Sequence, residues 1–238
     1  LSPLVPLMDH CDLTDMSQPT VYVSGCSKIL DDGEELVMDK SAYRLYSKLD
    51  LESSCLSFDI IPDNLGNNRI CEVNGESVSL YLLVGSQACR RSLNKLSILR
   101  LEGISPMTKN DPDSESTEDD ESGSSDNENC EQEIEAASIR HNGTVNRVKS
   151  LLLSDRYFAA SWSDVGHVCI WDLSRPLLAV NDSATMSEYV RNNESPSPVI
   201  SFKGHNGEGY ALSWNKHPLA NGYLASGDCK GSVYTWTP

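Results

Sequence analysis

Residues 140–173 read RHNGTVNRVKSLLLSDRYFAASWSDVGHVCIWDL, and residues 204–238 read GHNGEGYALSWNKHPLANGYLASGDCKGSVYTWTP. The two stretches superimpose almost residue for residue. His141 and His205 are each followed by Asn-Gly, and Val148 and Leu212 stand at the same offset of seven. Ala160-Ser161 matches Ala225-Ser226, Gly166 matches Gly231, and Trp171 matches Trp236. The His-to-Trp distance is 30 residues in one copy and 31 in the other. Agreement at so many offsets marks an internal repeat. Alternating polarity between turn-formers divides each copy into three strands, expected at 146–152, 157–162 and 167–171, then at 210–215, 223–226 and 232–236.

The His-to-Trp cassette resembles one blade of a WD-repeat β-propeller. In that family a turn His, a middle-strand Ser or Thr, a turn Asp and the strand Trp form a buried hydrogen-bond chain. The resemblance assigns His141, Ser161 and Trp171 to one such network, and His205, Ser226 and Trp236 to the other. The family Asp, six residues before the Trp, is replaced by Val165 and Lys230; Asp164 and Asp228 stand one and two positions earlier. It therefore implies networks that are incomplete or shifted in register. Both histidines are read as structural, with no catalytic or metal-binding role.

The two copies are 64 residues apart, His141 to His205, where a blade takes about 40–45. The surplus lies in 173–200, where SATMSEYVR at 183–191 predicts a short helix closed by Pro196 and Pro198. Upstream, three apolar runs at 55–61, 77–84 and 95–101 read as a degenerate earlier blade. The expected fold is all-β: a partial WD-repeat β-propeller of about three blades from a seven-bladed ring, preceded by an amphipathic helix. Its divisions are an extended leader 1–30, helix 31–52, first blade 53–110, acidic insert 111–137, second blade 138–175, inter-blade insert 176–200 and third blade 201–238. Three blades cannot close a ring, so the reading is of an N-terminal portion that does not fold cooperatively alone.

The helix rests on GEELVMDKSAYRLYSKLDL. Met38, Ala42, Leu45 and Leu49 make one apolar stripe, widened by Tyr43 and Tyr46, with Asp31 or Asp32 as N-cap. Glu35 and Asp39 flank that stripe. They are either solvated acids on a docked helix or one wall of a groove that receives a basic partner.

The chain carries 35 Asp and Glu against 19 Lys and Arg, a formal charge of −16, and twelve of the acids lie in 111–135. Without that run 19 bases face 23 acids, so the acidity is local. A Ser/Asp/Glu tract cannot bury enough surface to offset its ordering entropy and is read as disordered. It is either a solvated insert or an electrostatic receptor for a basic protein. Ser116, Thr117 and Ser125 each have an acid three residues on and suit an acid-directed kinase.

Sequence-specific nucleic-acid binding is disfavoured, since no Lys/Arg cluster is present. No 18-residue apolar run suggests a membrane span. The eight cysteines are never closer than 15 residues, which argues against a zinc site and for reduced, intracellular thiols. Cys55, Cys89 and Cys169 are expected to behave as small hydrophobes. No phosphate loop or nucleophile elbow is present, so no enzyme and no cofactor is expected.

Read in order, the amphipathic helix, CLSFDI, LYLLVG, NKLSILRL, the acidic insert, HNGTVNRV, GHNGEGYALSW and SGDCKGSVYTWTP resemble the histone-binding subfamily of WD-repeat proteins, in particular its glutamate-rich ribosome-assembly branch. The likeness covers about 31–238. It implies an escort for a basic large-subunit ribosomal protein, binding also to core histones and touching preribosomal particles indirectly, in the nucleus and nucleolus with shuttling through the cytoplasm. Carried over, Glu34, Glu35, Asp39 and Tyr43 become groove residues, and Glu118, Asp119, Asp120 and Glu121 offer the acidic insert. The chromatin-assembly relatives carry a differently placed, less purely acidic insert. The alternatives are a histone-binding subunit of a chromatin complex and a propeller scaffold such as a ubiquitin-ligase substrate receptor.

Overall fold

The computed structural model describes residues 22–23, 26–30, 36, 47–63, 78–104, 133–215 and 222–237. The chain divides into two units, Leu1–Ala42 and Tyr43–Pro238. In the first, the Cys26 and Ser27 amides donate to the Val23 carbonyl, and Ser27 Oγ accepts from the Val23 amide at 2.8 Å.

The second unit holds three antiparallel sheets. Strands β1 (Ser54–Ile61), β2 (Val78–Gln87), β3 (Lys95–Ile104) and β4 (Glu133–Arg140) form the first, in chain order. Strands β5 (Val145–Leu153), β6 (Arg156–Ser163), β7 (Val168–Asp172) and β8 (Ile200–Phe202) form the second. Strands β9 (Gly209–Trp214), β10 (Leu224–Asp228) and β11 (Val233–Trp236) form the third. Helices α1 (Ser174–Asn181) and α2 (Ser183–Arg191) lie between β7 and β8. The architecture is all-β in its framework and matches a partial, unclosed propeller. Phe58 at 61%, Ile60 at 54% and Val233 at 75% exposure leave apolar side chains of the first and third sheets in solvent.

The first strands of successive sheets meet side by side. Asp59 on β1 accepts from the Ser150 amide at 2.7 Å and from Lys149 Nζ at 3.0 Å. Burial alone would raise its pKa, but these bonds outweigh that effect and hold it below the usual carboxylate value. On the other side of β5, Trp214 Nε1 donates to the Lys149 carbonyl at 2.9 Å. Gly85 lets the first two sheets close up, because a Cβ there would stand 2.4 Å from Val145 Cγ1. One apolar core lies between the first and second sheets, around Leu83, Ile98, Ile139, Val145 and Val148. A second lies between the second and third, around Trp162, Val168, Leu212 and Leu224.

Several expected boundaries move. The first sheet ends at Arg140 rather than at 110, because residues 133–140 supply its fourth strand. Glu133 and Glu135 are exposed while Ala137 and Ile139 are buried, so strand alternation is hidden inside the acidic run. The helical insertion is internal to the second sheet, since Ile200–Phe202 pairs with β7. Of the predicted helix 31–52, the described residues Leu36 and 47–53 are non-helical. Glu52 is bound to Lys95 Nζ at 2.7 Å, which draws the chain extended into β1. Cys55 and Cys89 are exposed rather than packed; Cys169 is buried, and all three are free thiols. Pairing edges explain the first two: Cys55 sits at a bulge and Cys89 in the β2–β3 turn.

The helical insertion folds back on the first sheet. Tyr189 Oη donates to the Ser138 carbonyl at 2.9 Å, Arg100 to the Val180 carbonyl at 3.1 Å, and Tyr81 Oη to Asn181 at 2.5 Å. The Arg140 amide donates to Ser195 Oγ at 2.8 Å. The outer strands of the first sheet are thereby tied to the second, which protects an edge that would otherwise invite pairing.

The β5–β6 hairpin turns on Ser154 and Asp155, at φ 49° and 61°. Both central residues are left-handed, as a type I′ turn requires, yet neither is glycine. Replacing the pair by Asn-Gly is expected to raise stability by about 1 kcal/mol. Urea denaturation checks this, with the midpoint rising and the slope unchanged.

Candidate functional site

The described part of the site is a pair of histidine networks, one per repeat. His141 follows β4 directly and is buried. Its Nδ1 faces the Gly143 carbonyl at 2.9 Å and so must carry the proton, which leaves Nε2 to accept from Ser161 at 3.0 Å. Ser161 Oγ in turn accepts from Trp171 Nε1 at 2.9 Å. In the other copy His205 Nε2 meets Ser226 Oγ at 2.7 Å, and Trp236 Nε1 donates to the same oxygen at 2.7 Å. The sequence-predicted residues are thus brought together in two threes. Each set ties an entry turn to the second and third strands of its own sheet.

The aspartates divide the copies. Asp228 Oδ2 lies 3.0 Å from His205 Nδ1, with both side chains fully shielded from solvent. Its other oxygen accepts from the Lys230 and Ser232 amides, so one carboxylate holds both the ring and the β10–β11 turn. The His205 bond and these amides keep Asp228 below the usual carboxylate range. Asp164 instead accepts from the Thr144 amide at 3.0 Å and leaves the His141 ring to the Gly143 carbonyl. The signal for Asp228 is its place two residues after the network serine, where the other copy has Ser163. That serine donates to the Asn142 carbonyl at 2.6 Å and holds its entry turn.

Burial is the largest influence on His141 and holds its pKa below the ordinary 6.5, against the Gly143 carbonyl and Asp164, which act upward. Its folded state resists protonation that the unfolded chain accepts. The stability it contributes is complete above 6.5 and is lost as the pH falls toward the folded value. A series of melts is expected to show Tm dropping between about pH 6.5 and 5, before carboxylate protonation adds the Asp228 loss in stronger acid. A flat profile across that window excludes a buried neutral His141.

The remaining sequence-predicted residues, Glu34, Glu35, Asp39, Tyr43, Ser116, Thr117, Glu118, Asp119, Asp120, Glu121 and Ser125, lie outside the described residues. What is described is the root of the acidic insert. Ile104 ends β3, Glu133 begins β4, and Glu102 pairs directly with Glu133. The 28 residues between them leave and return at one end of the first sheet. Arg100 is bonded to Glu102 beside that root. Among the described residues no cluster of His, Cys, Asp and Glu could hold a metal, and no helix is long and apolar enough to cross a membrane.

A family model for histone-binding protein RBBP4, or the equivalent component of the CAF1 complex, matches residues 33–105. Protein HEAT STRESS TOLERANT DWD 1 of Arabidopsis thaliana is 33% identical over 88% of this chain and 46% of its own length. Glutamate-rich WD repeat-containing protein 1 of Dictyostelium discoideum is 34% identical over 94% of this chain and 45% of its own. Ribosome assembly protein rrb1 of Schizosaccharomyces pombe is 30% identical over 84% of this chain and 39% of its own. The chain spans less than half the length of these curated relatives. With two His–Ser–Trp networks in successive antiparallel sheets, it is a WD-repeat protein related to the histone-binding and ribosome-assembly WD-repeat families.

Proposed function

We propose that this protein is a non-enzymatic escort for a highly basic large-subunit ribosomal protein, with core histones as further partners, working in the nucleus and nucleolus. The observation that carries the reading is the root of the acidic insert. A segment with ten acids and a single Lys is tethered by both ends to one edge of a hydrogen-bonded sheet. A basic protein in transit binds nucleic acid non-specifically unless its charge is covered. A tethered polyanion covers it without fixed geometry and speeds encounter, and competing ribosomal RNA releases it. Glu118, Asp119, Asp120 and Glu121 form the densest part of that segment. Glu34, Glu35, Asp39 and Tyr43 supply the groove beside it, and phosphorylation at Ser116, Thr117 or Ser125 deepens the charge. The relative named as a ribosome assembly protein supports this reading.

The family model over 33–105 favours a second reading, a histone-binding component of a chromatin assembly complex. The two are separated by competition between a basic large-subunit ribosomal protein and core histones, with and without residues 111–132, at two salt concentrations. For the escort, the ribosomal protein wins, and deletion slows association about tenfold or more at low salt. High salt narrows that difference. If histones win, deletion changes little and charge reversal at Glu35 and Asp39 abolishes binding, the groove carries recognition and the chromatin reading replaces the first.

A further inference from the structure

A pocket of about 420 Å³ opens beside the first histidine network, where the end of β4, the β6–β7 turn and the segment entering β8 meet. Arg140, His167 and Lys203 line it together with Ser195, Ser197 and Ser201. Val168 pairs with Phe202, so His167 and Lys203 face each other one step beyond the ladder. Two nitrogen-bearing side chains set opposite each other repel when both are charged, unless an anion lies between them. No carboxylate lines the pocket. Among the described residues Arg140, His167 and Lys203 make no side-chain ion pair, although the whole chain holds 35 acids against 19 bases. The nearest acid in sequence, Glu194, is held by Arg175 at 2.7 Å.

The wall opposite these cations reads Ser195-Pro196-Ser197-Pro198 and carries no helix or strand. Ser195 Oγ is occupied by the Arg140 amide. Ser197 is exposed, and its hydroxyl has no hydrogen-bond partner among the described residues. Pro198 follows it and restricts it to extended backbone, the form a kinase cleft accepts.

We propose that Ser197 is a phosphoacceptor for a proline-directed kinase, and that Arg140, His167 and Lys203 receive its phosphate. In the transfer the Ser197 hydroxyl oxygen bonds to the γ-phosphorus of a nucleoside triphosphate. The bond from that phosphorus to the bridging oxygen breaks, the nucleoside diphosphate leaves, and the hydroxyl proton passes to the kinase base. The product carries a charge near −2 and three acceptor oxygens into a pocket whose charged side chains are all donors. It would pin the segment after α2 to the ends of β4 and β8, locking the first two sheets at their outer edge.

The test treats the full chain with a proline-directed kinase and magnesium ATP, maps the phosphate by mass spectrometry and titrates it by phosphorus NMR. The expected result is modification at Ser197, absent in Ser197→Ala, with the phosphate ionising below the roughly 6 of a free phosphomonoester. Lys203→Gln and Arg140→Gln, both exposed positions, should each return that value toward 6; if one variant fails to fold, the other alone reads the contact. Unmodified Ser197, or a phosphate that titrates as in free phosphoserine and ignores both variants, overturns the proposal. Inorganic phosphate added to the unmodified chain should perturb His167 only at millimolar concentration. Saturation at micromolar concentration makes a free anion the occupant and overturns the role of Ser197.

Discussion

Trp162→Ala is expected to destabilise the chain by about 3–5 kcal/mol. Trp162 is completely buried on β6 and belongs to the core between the second and third sheets. Its ring lies 4.5 Å from the His205 ring, centre to centre, and its Nε1 donates to the Ala211 carbonyl on β9 at 3.1 Å. Three losses coincide in the alanine variant: the transfer energy of a large ring, the contacts around the vacated volume, and the donor to a β9 carbonyl. The site cannot collapse to recover them. Gly209 already approaches the ring so closely that a Cβ there would stand 2.6 Å from it, and β9 is held on its far side by β10. A domain has only about 5–15 kcal/mol to lose, so the third sheet should detach first. Hydrogen exchange should show protection lost in β9 to β11 before β1 to β4. Uniform loss of protection would mean that the three sheets unfold as one unit, and the two-core description would fail.

Nothing in the sequence singles that ring out, whereas its neighbours are legible. Trp171 and Trp236 announce themselves by recurring at matched distances from His141 and His205. Trp162 has Gly227 at the matching position, and a residue without a repeat partner gives no periodic signal. The same logic separates the two helices. Residues 183–191 carry a run of helix-compatible residues after a capping Asp182, whose carboxylate accepts from the Thr185 amide at 2.7 Å. Helix α1 contains Pro176 in its first turn, where proline is tolerated but reads as a break. Strand β4 is masked in a third way, by acids on its solvent face that prolong the acidic run. The partner-binding residues rest on family likeness rather than on local pattern, because charge alone does not say what it faces. Asp228 lies between these cases: its residue type is conspicuous, but its offset from Trp236 points away from the network it completes.

Ser161→Ala is expected to cost about 2–4 kcal/mol although it removes a single oxygen atom. Both Trp171 Nε1 and His141 Nε2 depend on that oxygen, and all three residues are buried. Alanine fits the space, so the loss arises from two orphaned polar groups rather than from a cavity. Ser226→Ala removes the same atom from the other copy but should cost less. Trp236 is only half-buried, so water can reach toward its indole, and Asp228 continues to hold His205 by the opposite nitrogen. The comparison therefore isolates burial from bonding, since the two serines make the same pair of contacts. A double variant of Ser161→Ala with Trp171→Phe removes the orphaned indole donor together with its acceptor. It should be less destabilised than the sum of the singles, by about 1 kcal/mol or more. Strict additivity would show that Ser161 stabilises the second sheet through packing alone, and the hydrogen-bonded network would then have no energetic role.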